Sequence, residues 1–216
     1  MAGWALFAGA SFLLALTPGP DIAYVAAQGA ARGPRAGVVA ALGLCTGILF
    51  HTAAVALGLA EVLARLPAIF AAIQLIGALY ILRIAWLLWR EASASREARE
   101  GAPPRAATLG AIYRQTIIMN LLNPKVALFF LAFLPQFVDA QAGSPRAQFI
   151  ALGAIFLVVS LAVMATAGVL AGWAGRSAGS SPRKALWLGR GAALAVAAIA
   201  LWTLVSGARA ALAGLG

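Results

Sequence analysis

Residues 3–28 read GWALFAGASFLLALTPGPDIAYVAAQ, an apolar run that is long enough to cross a membrane as a helix. A hydrocarbon layer of about 30 Å needs roughly 20 residues, because each helical residue rises about 1.5 Å. The run is interrupted in its middle by Thr17-Pro18-Gly19-Pro20-Asp21. Proline lacks an amide hydrogen and clashes with the carbonyl one turn back, so this segment predicts a membrane helix that is broken near its centre.

The composition of the whole chain indicates an integral membrane protein. Of the 216 residues, 63% are hydrophobic and only 10% are charged, whereas soluble domains carry about a quarter charged residues. These fractions exclude a soluble enzyme, because a globular core of this size cannot bury so many apolar side chains. The single cysteine, Cys45, excludes an internal disulfide and any multi-cysteine metal cage, and we expect neither a metal nor a cofactor.

Apolar runs of spanning length recur along the chain and predict an all-α integral membrane protein with six transmembrane helices. The predicted spans are residues 3–28, 38–60, 67–89, 109–135, 149–172 and 187–208. A charged segment, residues 90–108, separates the third span from the fourth. The expected organisation is therefore a three-helix repeat in residues 1–89, a cytoplasmic linker in residues 90–108 and a second three-helix repeat in residues 109–216.

The basic residues predict the orientation of these helices. The net charge is +10, and Lys and Arg concentrate in the loops that follow the first, third and fifth spans. These residues are Arg32, Arg35, Arg90, Arg96, Arg99, Arg105, Arg114, Arg176, Arg183, Lys184 and Arg190. Only Arg65, Arg146 and Arg209 lie on the other side, so the odd-numbered loops are expected to face the cytoplasm and both termini the outside. We expect a multi-pass protein of the bacterial inner membrane whose basic excess reflects topology, and no binding to nucleic acid.

The fourth span contains a second break, Asn123-Pro124-Lys125, at a depth similar to that of the first. Because each half has three spans, the halves would insert in opposite directions and form an inverted repeat with broken first and fourth helices. Paired breaks at corresponding positions of inverted halves indicate a transport site near the middle of the membrane. Backbone groups freed by a break cost several kcal/mol each in hydrocarbon unless they face protein, water or a ligand. The expected substrate-binding residues are Pro18, Gly19, Pro20, Asp21, Asn123, Pro124 and Lys125.

Ionisable side chains lie inside the predicted spans, where each costs about 2.5–3.5 kcal/mol on insertion scales. Asp21 and Lys125 each adjoin a break, and a pseudo-two-fold axis between the halves would bring this acid and this base together. They would form either part of a binding site or a structural ion pair. His51 lies in the middle of the second span as either a packing histidine or a proton relay. We assign Asp21 and His51 to proton coupling.

Small residues recur along the second span and just before it. Gly33, Gly37, Gly43, Gly47 and Gly58 form a ladder whose spacing lets helix backbones approach closely in lipid. We interpret this ladder mainly as a packing feature that says little about the substrate.

In this order, the motifs resemble those of the lysine exporter superfamily (LysE/RhtB) of small bacterial amino-acid exporters. The similar residues are Pro18-Gly19-Pro20-Asp21, Ala26, Gly29, the glycine ladder, Gly77-Ala78-Leu79-Tyr80, Asn123-Pro124-Lys125, Phe129-Phe130 and Leu134-Pro135-Gln136-Phe137. The resemblance implies a secondary transporter that exports amino acids or close derivatives, driven by the proton motive force. Members handle basic amino acids, homoserine and threonine, leucine or cysteine-pathway metabolites, and the shared motifs do not distinguish among them. The additional charge of Arg83 and the long linker depart from the family pattern.

The residues also suggest a mechanism. The ammonium of an amino acid would pair with Asp21, and its carboxylate with Lys125 or with the half-helix terminus near Asn123. A proton and the ammonium would compete for one carboxylate, which makes the cycle an antiport. The alternatives are an exporter of another small solute or ion and a membrane-embedded enzyme that uses Asp21, His51 and Lys125. The enzyme is disfavoured, because no second acid or nucleophile motif accompanies them. The expected partners are an amino acid, protons and the lipid bilayer, and the sequence leaves open whether copies of the chain form a homo-oligomer.

Overall fold

The computed structural model of the chain describes residues 2–59, 67–97, 108–139, 141–178 and 182–213. Within these ranges every regular element is a helix, which confirms the all-α prediction. The main helices are α1 (Ala2–Leu16), α2 (Pro20–Arg32), α3 (Pro34–Ala56), α4 (Pro67–Glu97), α5 (Leu109–Leu121), α6 (Pro124–Leu128), α7 (Pro145–Ala178) and α8 (Pro182–Ala213). A π-helical turn, Phe129–Phe133, and a 3-10 turn, Leu134–Phe137, continue α6.

Both predicted breaks are present in the structure. The axes of α1 and α2 differ by 57°, and the axis of α5 differs from that of the segment Pro124–Phe137 by 48°. α2 and α6 each have proline in their first turn, where the missing N–H removes no intrahelical hydrogen bond. Pro20 and Pro124, which belong to the breaks, therefore also begin the second helix of each span.

Length and apolar composition identify α3 and most of α7 as helices that can cross a membrane. Each bent pair passes the same criteria when its two helices are taken together, so the described residues contain two to four candidate spans. The third and sixth predicted spans lie on α4 and α8, and the six-span arrangement remains a prediction. α4 continues through Glu97, so the first part of the predicted linker is helical, and residues 98–107 lie outside the described residues.

The main helix contacts join the two halves of the chain. α4 packs along α8 and α3 packs along α7. α2 packs against α7, while α5 packs against α3. The bent pair of each half therefore lies against the first unbroken helix of the other half, α7 or α3, and this exchange brings the two breaks together.

Glycine allows α2 and α3 to approach α7 at backbone distance. A Cβ atom at Gly37 of α3 would lie only 2.7 Å from the Cα atom of Gly168 of α7, and a Cβ atom at Gly29 of α2 would meet the Gly168 carbonyl. These contacts confirm the packing role predicted for Gly37. The same interpretation is wrong for Gly33 and Gly58, which have φ angles of 89° and 81° and no atom within 4 Å of an added Cβ. They occupy turns that only glycine adopts readily.

We expect Gly168→Ala to lower the stability of the protein in detergent. The new methyl group would lie 2.9 Å from the backbone of Gly37, which cannot move aside without separating α3 from α7. Overpacking of this kind costs about 1–3 kcal/mol, which lowers the unfolding temperature by several degrees. Gly110→Ala is the matched control, because a Cβ at Gly110 of α5 meets nothing within 4 Å. Equal unfolding temperatures for Gly168→Ala and the wild-type protein would contradict this account.

Candidate functional site

Asp21 lies in the first turn of α2, directly after the first break. Gly19 caps the helix with extended backbone and Pro20 begins it, so the positive end of the helix dipole stabilises a carboxylate here. Asp21 is only 8% exposed, and its Oδ2 atom accepts a hydrogen bond of 3.2 Å from Asn120 Nδ2. Its Oδ1 atom is buried and has no hydrogen-bond partner among the described residues. A buried acceptor without a donor is costly, so this atom is suited to receive an N–H or O–H group from a ligand.

At the second break, the side chain of Asn123 caps the N-terminus of α6. Asn123 Oδ1 accepts a hydrogen bond of 3.0 Å from the backbone N–H of Lys125, and Pro124 begins α6. Asn123 and Pro124 are both buried, and the Asn123 side chain also lies beside the Asp21 carboxylate. The structure therefore places the predicted residues of the second break against the acid of the first.

Lys125 connects the second break to the first. Its Nζ atom donates a hydrogen bond of 2.9 Å to the carbonyl oxygen of Thr17, directly after α1, where helix carbonyls lack intrahelical partners. A Cβ atom at Gly19 would lie 3.3 Å from this nitrogen, so glycine leaves room for the lysine to cross the break. The charges of Lys125 and Asp21 are close enough to interact, as predicted, but the ammonium hydrogen-bonds a carbonyl in this structure.

Sequence reasoning missed Asn120. This residue lies near the end of α5, just before the second break, and hydrogen-bonds Asp21 of the first break. The residue is 1% exposed, and in addition to its bond to Asp21 it packs against Gly47 of α3. A Cβ atom at Gly47 would lie 2.5 Å from Asn120 Oδ1, so this glycine of the ladder makes space for the amide. The sequence feature that could have identified Asn120 is the presence of an amide side chain within an apolar span. A polar side chain in lipid must find a partner in the protein.

His51 also reaches the second break. Its Nε2 atom lies 3.2 Å from the carbonyl oxygen of Asn120, and its half-buried ring stacks on Phe130 with centroids 5.6 Å apart. The described contacts connect His51 to Asp21 through Asn120 and not directly. His51 therefore belongs to the same junction, and its part in proton coupling remains a prediction.

A cavity of about 510 Å³ lies beside the two breaks, between α1 and the segment that follows Asn123. Its lining residues are Ala10, Leu13, Leu14, Thr17, Lys125, Leu128, Phe129 and Phe133. All of them are apolar except Thr17 and Lys125, which are joined by their hydrogen bond. The volume lies within the range of small-molecule pockets. Its chemistry suits an anionic group at the lysine and an apolar group against the leucines and phenylalanines.

Comparison with known proteins places the chain among membrane translocators. The sequence profile of the LysE type translocator family matches residues 12–207. Over 159 residues the chain is 31% identical to the leucine efflux protein of Salmonella choleraesuis strain SC-B67, and the match covers 73% of each chain. It is 31% identical over 157 residues to the leucine efflux protein of Klebsiella pneumoniae, with 72% of each chain covered. It is 32% identical over 212 residues to an uncharacterized membrane protein of Pseudomonas aeruginosa, covering 91% of this chain and 95% of the relative. No solved structure matches the chain.

Proposed function

Because this chain belongs to the LysE type translocator family, we propose that it exports amino acids, and apolar amino acids in particular, from the bacterial cell. Membership of the family identifies a multi-pass membrane transporter rather than an enzyme. The names of the leucine efflux relatives support an amino-acid substrate. The observation that carries the proposal is the placement of Lys125, Asp21 and an apolar cavity at one junction.

The substrate carboxylate binds the Lys125 ammonium in place of the Thr17 carbonyl. This exchange is favourable, because a charge-assisted hydrogen bond between two ions is stronger than one to a neutral carbonyl. Lys125 already lines the cavity, so the group that it binds has direct access to the apolar walls.

The substrate ammonium binds Asp21, whose Oδ1 atom is buried without a donor. An α-amino acid carries its ammonium and carboxylate on the same carbon, so it requires an acid and a base at one place, as the two breaks provide. The side chain then extends into the cavity along Leu13, Leu14 and Phe133. A branched aliphatic side chain fits these walls better than a charged one, because burial of an unpaired charge is costly.

Transport is coupled to protons through Asp21. A proton and the substrate ammonium compete for this carboxylate, and Asn120 links it to His51. Alternating access then follows from the two halves, which we infer to be inverted three-helix repeats of residues 1–89 and 109–216 with six spans in all. The exchanged packing of the bent pairs on α3 and α7 supports this arrangement. The proposed site does not require the transporter to be a homo-oligomer.

The proposed location is the bacterial inner membrane, with the odd-numbered loops in the cytoplasm. In this orientation Arg32 and Arg35 lie inside, and the cavity beside α1 lies on the outer side of the breaks. This orientation supports the proposal that the structure represents an outward-facing state of the transporter.

Efflux from intact cells tests the function. Bacteria that overproduce the chain are loaded with dipeptides, and the medium is profiled for all amino acids with and without a protonophore. We expect faster release of leucine and similar amino acids, and loss of this increase with the protonophore. An unchanged profile across the whole panel would reject amino-acid export.

We expect Ala10→Phe to reduce the export of leucine far more than the export of alanine. The new ring fills part of the cavity, and steric discrimination in an apolar pocket is worth about 1–3 kcal/mol, or about 10- to 100-fold in rate. Ala154→Phe on α7 is the matched control, because Ala154 is exposed and lies outside the cavity lining. The measurement is initial efflux of each amino acid at equal protein level. Equal losses for leucine and alanine would show that the side chain does not enter this cavity.

A further inference from the structure

Buried polar side chains form a stripe along one face of α2. The stripe comprises Asp21, Tyr24 and Gln28, which are 8%, 1% and 3% exposed, and it ends at the half-buried Arg32. Their spacing of three or four residues places them on one side of the helix. Fully buried polar residues are rare in membrane helices and typically mark the path of a substrate, an ion or a proton.

The stripe and the cavity lie on opposite sides of the breaks. The cavity extends from Thr17 and Lys125 along α1 to Ala10. The stripe begins at Asp21 and continues along α2, which leaves the break in the other direction. Asp21 itself is buried, and it lies between the cavity on the side of α1 and the packed stripe that leads toward Arg32.

A hydrogen bond between helices closes the packed side. Tyr24 donates its hydroxyl hydrogen to Gln115 Oε1 of α5 at 3.0 Å. Tyr24 belongs to a buried apolar cluster that also contains Ile84 of α4 and Ile112 of α5, so its ring is part of the packed core on this side. In this state Asp21, Tyr24 and Gln28 are all buried, so this face of α2 is packed against its neighbours.

Gln28 lies beyond Tyr24 in a position that packing alone does not explain. It is 3% exposed, and its Oε1 atom has no hydrogen-bond partner among the described residues. An amide oxygen buried in this way is expensive in an apolar junction. The cost is removed if the helices separate in another state and the amide then meets water or the charged groups of a substrate.

We propose that this stripe is the second access pathway of the transporter, that the Tyr24–Gln115 hydrogen bond is its gate, and that Gln28 lines the pathway when it is open. The pathway would pass a zwitterionic amino acid, because Gln28 offers both a donor and an acceptor and no charge. This inference rests on the proposed function, since a transporter with alternating access needs a second route to Asp21.

Cysteine accessibility tests the pathway. The chain has a single cysteine, Cys45, so Cys45→Ala gives a background without thiols. Gln28→Cys is compared with Val25→Cys, a matched control on α2 that is equally buried but faces α7. A Cβ atom at Gly168 would lie 3.0 Å from Val25 Cγ1. A membrane-impermeant thiol reagent is applied to right-side-out and inside-out vesicles.

We expect Gln28→Cys to react at least about tenfold faster than Val25→Cys, and only from the side of the membrane that carries Arg32. Excess leucine should change the rate at residue 28 but not at residue 25. Equal rates at the two positions in vesicles that export leucine would overturn the pathway and leave the proposed function intact. A difference in rate without export of any amino acid would reject the proposed substrate and not the pathway.

The gate is tested in the same vesicles with Tyr24→Phe, which removes the hydroxyl group and keeps the ring. Loss of one hydrogen bond should raise the open population, and hence the reaction rate of Gln28→Cys, by about two- to tenfold. The rate of Val25→Cys serves as the internal control, because general loosening of the fold would raise it equally. An unchanged rate at residue 28, or an equal rise at residue 25, would overturn the assignment of the gate.

Discussion

Asp21→Asn should abolish proton-coupled export, with a fall of about 10- to 100-fold in the initial rate of leucine efflux. Asparagine keeps the size of the side chain and can still accept the hydrogen bond from Asn120, so the packing of the two breaks should be preserved. It removes the negative charge, however, and a hydrogen bond to a charged group is worth about 1.5–3 kcal/mol. The variant also cannot exchange a proton for the substrate ammonium.

Loss of proton coupling in Asp21→Asn can be recognised from the response of leucine efflux to a protonophore. Export of a neutral zwitterion against one entering proton moves one charge, which is worth about 2.3 kcal/mol per 100 mV of membrane potential. Residual flux through Asp21→Asn should therefore be insensitive to a protonophore and should run only down the leucine gradient. Asp139→Asn is the matched control, because Asp139 is exposed beyond the 3-10 turn. Protonophore-sensitive export that persists in Asp21→Asn would assign the coupling to another group.

Lys125→Met is expected to weaken the binding of leucine by about 10- to 100-fold, while leaving the binding of 3-methylbutylamine almost unchanged. This amine has the leucine side chain and the ammonium but no carboxylate. Methionine keeps much of the length of the lysine stem against the cavity and removes the ammonium that now donates to Thr17. The affected interaction is the one between two opposite charges, and only the carboxylated ligand makes it.

Competition assays in inside-out vesicles measure this difference. The concentrations of leucine and of the amine that halve the transport of labelled leucine are compared between variant and wild type. Arg146→Met, at the exposed start of α7, is the control for loss of a positive charge. A loss of affinity that is equal for leucine and the amine would contradict the role of Lys125 as the carboxylate ligand and would indicate a structural role at the break.

Local chemistry explains which features of the site were visible in the sequence. The breaks at Pro18–Pro20 and Pro124 could be predicted, because a proline inside a helical run removes an intrahelical hydrogen bond and clashes with the carbonyl one turn back. The role of Asn120 could not, because an asparagine within a span has no preferred partner until α5 lies against α2 and α3. The pairing of Tyr24 with Gln115 depends in the same way on contact between residues 91 positions apart.

The glycine ladder also combines a feature that the sequence predicts with one that only the tertiary structure reveals. The sequence predicts small residues at helix contacts, and Gly37 and Gly47 do contact α7 and α5. It does not distinguish them from Gly33, which serves a turn, because a contact and a positive φ angle both favour glycine. Only the position of the neighbouring backbone shows whether a glycine is needed for a helix contact or for a positive φ angle.

The sequence by itself determined that this protein is a helical membrane protein, where two of its helices break, and which acid and base lie at the breaks. These properties depend on composition and on the backbone of single residues. The tertiary structure decided that Lys125 hydrogen-bonds Thr17, that Asn120 hydrogen-bonds Asp21, and that an apolar cavity lies beside Lys125 and Thr17. These properties arise from contacts between helices that are distant in the chain, and they depend on how the helices pack.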